Sequence, residues 1–126
     1  MDNKSEIGEL MEIIIYVEDM NRQVSFYRDQ LGFKVVNPQE TEDYRKEFWV
    51  ELDTGSCSLA LHAGGKRRFG EDAPKFVFRV QDILAARQQL VTQQVEMGEI
   101  RSAAPGVWVC DGADAEGNKF SIESHD

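Results

Sequence analysis

Cysteine, proline and histidine are scarce in this chain, with two, three and two residues among 126. Cys57 and Cys110 have no metal-binding spacing, and they are expected to be reduced strand residues rather than a disulfide. Three prolines against ten glycines exclude a collagen-like or proline-rich chain. No apolar run approaches the roughly 20 residues of a membrane-spanning helix. The longest, around Ile13–Val17, is the length of a strand. Met1 to Glu6 is polar and lacks the apolar stretch of a secretory signal, so a cytoplasmic chain without a membrane partner is expected. Basic residues are also few: 14 Lys and Arg against 23 Asp and Glu leave a formal charge of −9. Binding to nucleic-acid phosphates needs a basic surface and is excluded on this balance. A cationic ligand would suit the charge, and so would plain solubility.

The length is that of one domain able to bury roughly two-thirds of its unfolded surface. Residues 11–17 read as an Ile-rich strand ending near Asp19, which is placed to cap a helix carrying Met20, Val24, Tyr27 and Leu31 at helical spacing. Gly32 stands where a left-handed residue closes a helix, and Phe33 can pack back on it. Strands are expected at Phe33–Val36, Glu47–Asp53 and Ser56–His62, with Thr54-Gly55 turning between the last two. The order then repeats. Lys75–Val80 is a strand, and Asp82 caps a helix that turns Ile83, Ala86, Leu90 and Val91 inward. Strands near Val95–Ile100, Val107–Cys110 and Lys119–Ser124 follow, the last two joined by the turn Asp114 to Asn118.

The halves superimpose by offset. Val17-x-Asp19 meets Val80-x-Asp82 at a shift of 63, and Leu59–His62 meets Phe120–Glu123 at a shift of 61. Trp49-Val50 aligns with Trp108-Val109 at a shift of 59. Duplication of one βαβββ unit accounts for this, with modules at about 10–63 and 75–124 and a linker at 64–74. The linker carries Lys66-Arg67-Arg68, a run that reads either as a solvated loop or as a lid over an anionic ligand.

The stretches Ile15-Tyr16-Val17-Glu18-Asp19-Met20 and Ser25-Phe26-Tyr27-Arg28-Asp29-Gln30-Leu31-Gly32-Phe33 resemble the strand end and helix end of the vicinal oxygen chelate superfamily. That superfamily includes glyoxalase I, extradiol dioxygenases, fosfomycin-resistance enzymes and bleomycin-resistance proteins. Phe78-Arg79-Val80-Gln81-Asp82 and the turn Asp114-Ala115-Glu116-Gly117-Asn118-Lys119 match its second module, with Ala115 in place of the usual proline. The resemblance implies an α+β fold in which eight strands form two curved mixed sheets around a common cavity, with the helices outside. It also implies a homodimer.

On that fold, strand alternation turns Ile13, Ile15 and Val17 to the helices and Glu12, Ile14 and Tyr16 to the cavity. Phe76, Phe78 and Val80 face the helices, while Lys75, Val77 and Arg79 face the cavity. Ala60, His62, Ser121 and Glu123 are cavity residues, as are Trp49 and Glu51 and, at the duplicated position, Trp108 and Cys110.

The superfamily's metal-dependent members place ligands at positions that map to Glu12, Ala60, Lys75 and Ser121. A divalent cation needs imidazole nitrogen or carboxylate oxygen, and of these four only Glu12 qualifies. No metal cofactor is therefore expected. One displaced arrangement stays open, in which His62 and Glu123 act with Glu12 or Glu51. Glu12 and Lys75 also invite an ion pair, within the chain or across a dimer. His125 is expected to be exposed.

Two readings follow. One is a binding module of the bleomycin-resistance kind: Tyr16, Trp49 and Trp108 would stack on an aromatic ligand, and Glu12, Glu51 and Glu123 would attract a cationic one. His62, Lys75, Arg79 and Ser121 would line the same cavity. The other is a glyoxalase-type lyase or isomerase, or a metal-free relative with Glu12 or His62 as general base.

Overall fold

A computed structural model describes residues 10–65 and 74–126. The polar N-terminal residues and the Lys66–Arg68 run fall outside the described residues.

The first half opens on β1 (Glu12–Val17), whose branched side chains favour the extended backbone. Asp19 ends the strand and accepts the backbone N–H of Arg22 at 3.1 Å, capping α1 (Met20–Ser25). The helix widens into a π-helical segment, Phe26–Gln30, which closes at Gly32, where φ is 87°. Only glycine adopts that angle without a steric penalty. The Phe33 N–H then bonds back to the Tyr27 carbonyl at 2.9 Å. Next come β2 (Lys34–Asn37), β3 (Trp49–Asp53) and β4 (Ser58–Ala63). The turn between β3 and β4 takes four residues, Thr54 to Cys57, because Asp53 pairs with Ser58.

The second half repeats the plan. It runs from β5 (Phe76–Arg79) through α2 (Ile83–Thr92), capped by Asp82 onto the Ala85 N–H at 3.0 Å. It continues with β6 (Glu96–Met97), β7 (Arg101–Ala104), β8 (Val107–Ala113) and β9 (Lys119–His125). Two corrections belong here. The strand expected across Val95–Ile100 is only two residues long, and an extra strand, β7, brings the described total to nine rather than eight. Val91 is 40% exposed and does not turn inward.

Sheet A has the order β1-β4-β3-β2, and sheet B has β5-β9-β8-β6 with β7 also paired to β8. Each is mixed, with one parallel pair (β1 with β4, β5 with β9) and antiparallel neighbours. One core spans both halves, joining Val17, Tyr27, Val50 and Leu61 to Leu90, Phe120 and Ile122. A run of rings crosses the junction: Phe33 to Phe78 at 5.3 Å, Phe78 to Phe120 at 5.9 Å, and Phe120 to Phe26 at 6.2 Å. Burying one such ring stabilises the fold by about 1.5–3 kcal/mol.

The β8–β9 turn reinforces that junction. Asp114, 6% exposed, accepts from Gln23 Nε2, the Tyr27 hydroxyl, the Glu116 and Asn118 N–H groups and Asn118 Nδ2, all within 2.9 Å. Glu116 accepts the N–H groups of Glu18 and Asp19 at 2.9 Å. These are the backbone donors at the entrance to α1, so a side chain of one half satisfies the helix start of the other.

Candidate functional site

Register sorts the side chains of sheet A. Tyr16, His62 and Trp49 lie in one row across β1, β4 and β3, and Ile14, Ala60 and Glu51 lie in the next. Because side chains on a strand alternate, both rows lie on the face opposite Val17, Leu61 and Val50, which enter the core. This is the helix-free face. Glu12, in register with Ser58, begins it.

Aromatic rings gather there around one imidazole. The Tyr16 ring lies 4.8 Å from that of His62, Trp49 lies 6.1 Å away, and Phe48 lies 6.4 Å away. Tyr16 is 62% exposed and Phe48 73%, so the cluster is open to solvent. His62 Nδ1 is 2.7 Å from the Ala63 carbonyl. A carbonyl can only accept, so Nδ1 carries the proton and Nε2 is the accepting nitrogen of the neutral ring. Trp49 Nε1 and Ser58 Oγ donate to the two oxygens of Glu51, each at 3.3 Å. These long bonds steer the carboxylate without neutralising it. Phe48 was not among the residues expected at the site, because alternation along the expected strand Glu47–Asp53 put it opposite Trp49; the strand begins only at Trp49.

Sheet B carries a different chemistry. Val77, Ser121 and Asp111 form one row of its helix-free face, and Arg79, Glu123 and Val109 form the next. Asp111 accepts from Ser121 Oγ at 2.6 Å, from Arg101 Nη1 at 2.7 Å and from Lys75 Nζ at 3.5 Å. The serine hydroxyl, followed by the two cations, holds its carboxyl below the usual carboxylate range. Within the chain, Lys75 therefore pairs with Asp111 and not with Glu12. Glu123 lies 2.6 Å from His125 Nε2. Asp111 and Arg101 were missed in the sequence. Asp111 is the mate of Glu51 at a shift of 60, since Glu51 pairs with Ala60 and Asp111 with Ser121.

That shift corrects another expectation. Matching Trp49 to Trp108 implied a shift of 59, but Trp108 pairs with Ser124, on the face of Ile122 and Phe120. A slip of one residue reverses every side chain of a strand. Trp108 and Cys110 thus belong to the helix side. Trp108 Nε1 donates to Asp126 at 3.3 Å, and Cys110 is fully buried, its thiol pKa raised chiefly by that burial.

The donor set does not fit a divalent cation. Of the four superfamily ligand positions, Ala60 has no donor, Ser121 is committed to Asp111, and Lys75 brings a positive charge. Among the described residues no three His, Cys, Asp or Glu side chains converge on a metal-sized site. The displaced arrangement does not assemble: Glu123 is bonded to His125, His62 sits among aromatic rings, and among the described residues no third donor converges with them.

Two cavities border these faces. A groove of about 340 Å³ runs between the start of β4 and β5, lined by Ser58, Lys75, Val77 and Arg79 on one side and by Ile13, Phe33 and Phe78 on the other. A wider one of about 720 Å³ lies over sheet B and includes Lys75, Asp111, Gly112, Lys119 and Phe120.

No match is found among curated proteins. Solved structures share the fold at low identity. SMU.1112c is 19% identical, with 94% of this chain and 100% of that one covered at a TM-score of 0.80. TnmS3, an antibiotic-binding protein from Streptomyces sp. CB03234, is 19% identical over 97% and 99% at a TM-score of 0.74. A lactoylglutathione lyase from Agrobacterium tumefaciens is 16% identical over 95% and 96% at 0.73. The sequence profile of the Glyoxalase/Bleomycin resistance protein/Dioxygenase superfamily matches residues 7–120, and the chain belongs to that superfamily.

Proposed function

We propose that this chain is a small-molecule-binding protein that holds a flat aromatic, cation-bearing ligand on the helix-free face of sheet A. The observation that carries this reading is the open cluster of Tyr16, Phe48 and Trp49 around His62. Large aromatic side chains left in water mark a surface with a use. The neighbouring Glu51 supplies negative charge, and a cation over these rings gains from their quadrupoles. TnmS3, which shares the fold, is an antibiotic-binding protein, and that is in keeping with a small-molecule ligand here.

The same reading keeps the chain in the cytoplasm as a homodimer. Ile14, Tyr16 and Val77 are 44%, 62% and 52% exposed on the helix-free faces, which suits closure by a second copy. Light scattering on the purified protein reads the mass directly.

The test is a titration with planar aromatic amines, followed by Trp49 fluorescence in a Trp108→Phe background and by calorimetry. Saturable quenching at one site per chain supports the reading. A panel of such cations that yields neither quenching nor heat sinks it.

A second reading has one specific observation behind it: the bond from His62 Nδ1 to Ala63 leaves Nε2 poised to accept a proton. In an enzyme of the glyoxalase kind His62 would be the base, with Glu12 as the other candidate. His62→Gln would then abolish turnover of any substrate found while leaving the melting temperature in place.

A further inference from the structure

We propose that the helix-free face of sheet B is an oxyanion-binding site, built by Arg101 and Lys75 around the resident carboxylate of Asp111. It is a separate subsite from the aromatic cluster of sheet A and does not depend on it. In a chain of net charge −9, an anion site has to be made locally. Here two cations from different segments, one on β7 and one just before β5, converge on a single carboxylate. The cluster is left with a surplus positive charge.

Its donors are not used up. A guanidinium offers five N–H donors and an ammonium three. Asp111 takes one bond from each group. Nor is the cluster sealed: the side chains of Lys75, Asp111 and Arg101 are 42%, 48% and 53% exposed. The cavity of about 720 Å³ beside Lys75 and Asp111 also has Lys119 and Glu96 on its lining, one charge of each sign, which leaves the surplus of the three-residue cluster unchanged. Gly98 lines the same cavity without a side chain to fill it.

An ion pair kept only for stability gains little at this exposure. Two long cationic side chains fixed on one half-exposed carboxylate make better sense as a receiver for a second anion. The chemistry recognised is an oxyanion with two or more oxygens, either a carboxylate or a phosphoryl group. Arg101 would donate in fork geometry and Lys75 as a point charge, while Asp111 acts as an internal competitor that keeps affinity low.

The experiment is calorimetry in low-salt buffer with sodium benzoate and with inorganic phosphate as probes. Wild type is expected to bind at least one of them at one site per chain in the millimolar range. Asp111→Asn removes the competitor and is expected to tighten binding about tenfold, while Lys75→Gln and Arg101→Gln each weaken it about tenfold. Arg101→Lys, which keeps the charge and loses the fork, separates geometry from simple attraction, and thermal melts verify that each variant is folded. Binding of benzoate alone assigns a carboxylate ligand, and binding of phosphate alone a phosphoryl one. The proposal fails if folded Asp111→Asn binds neither probe, or binds no more tightly than wild type. Should Asp111→Asn not fold, equal affinity of the two cation variants and wild type would overturn it. Quenching of Trp49 by aromatic amines is read separately, so either site can fail alone.

Discussion

The phenol of Tyr27 donates to the carboxylate of Asp114 across 2.7 Å, bonding the π-helical segment of the first half to the β8–β9 turn of the second. Burial, then the charge and hydrogen bond of Asp114, raise the Tyr27 pKa well above its ordinary value. A raised pKa means that the folded state favours the protonated phenol. Its contribution is complete below about 10, the unfolded value, and is lost as pH climbs through the higher folded value. Urea unfolding between pH 8 and pH 12 should show stability falling on the alkaline side. Tyr27→Phe should flatten that limb and cost about 1.5–3 kcal/mol at neutral pH, the range for a bond to a charged acceptor.

Asp114→Asn should be more damaging. The amide would turn two N–H donors toward groups that themselves donate, inside a buried turn. A loss of about 3 kcal/mol is expected by urea denaturation. Asp53→Asn is the control: Asp53 stands at the corresponding corner of the first half, is exposed, and accepts from the Gly55 N–H at 2.7 Å. It should change stability by no more than about 0.5 kcal/mol.

Gly112 tests the packing of sheet B. A Cβ there would lie 2.6 Å from Met97 Sδ, 2.9 Å from the Glu96 carbonyl oxygen and 2.9 Å from Phe120 Cζ. The methionine can move, but the backbone and the buried ring cannot move cheaply. Gly112→Ala should cost about 1–3 kcal/mol and raise amide exchange in β6 first.

The two tryptophans should behave differently toward an aromatic cation. Trp108 stands on the helix side, so Trp108→Phe should leave affinity unchanged. Trp49 borders the His62 cluster, so Trp49→Ala should weaken binding about tenfold, as should Tyr16→Ala. Tyr16 is largely exposed, and its variant should melt with wild type. Equal losses at both tryptophans would contradict the assigned register.

Much of the fold was legible because both halves advertise it in the same way. Asp19 and Asp82 each cap a helix directly after an apolar strand, and alternation in β1, β4, β5 and β9 sorted core from face. β7 was not legible: Arg101-Ser102-Ala103-Ala104 is exposed throughout, and a strand buried on neither face leaves no alternation to read. Trp108 was misplaced for another reason. The repeated Trp-Val pair suggests a shift of 59, whereas hairpin pairing sets the parity of a strand and gives 60. The Asp111 cluster was hidden with it. Its one signal was the chain of pairs through Ala60 and Ser121, which makes Asp111 the counterpart of Glu51.

The β8–β9 turn, with Asp114 and Glu116 bonded into the other half, has a counterpart that stayed at the surface. The turn from Thr54 to Cys57 keeps Gly55 and Ser56 exposed. The two equivalent corners of the duplication have thus acquired unequal freedom to change. An epitope or an extra loop spliced at Gly55-Ser56 would hang in solvent, while the same splice at Glu116-Gly117 would prise the halves apart. Whatever length variation this scaffold tolerates at its corners should accumulate at the first and be refused at the second.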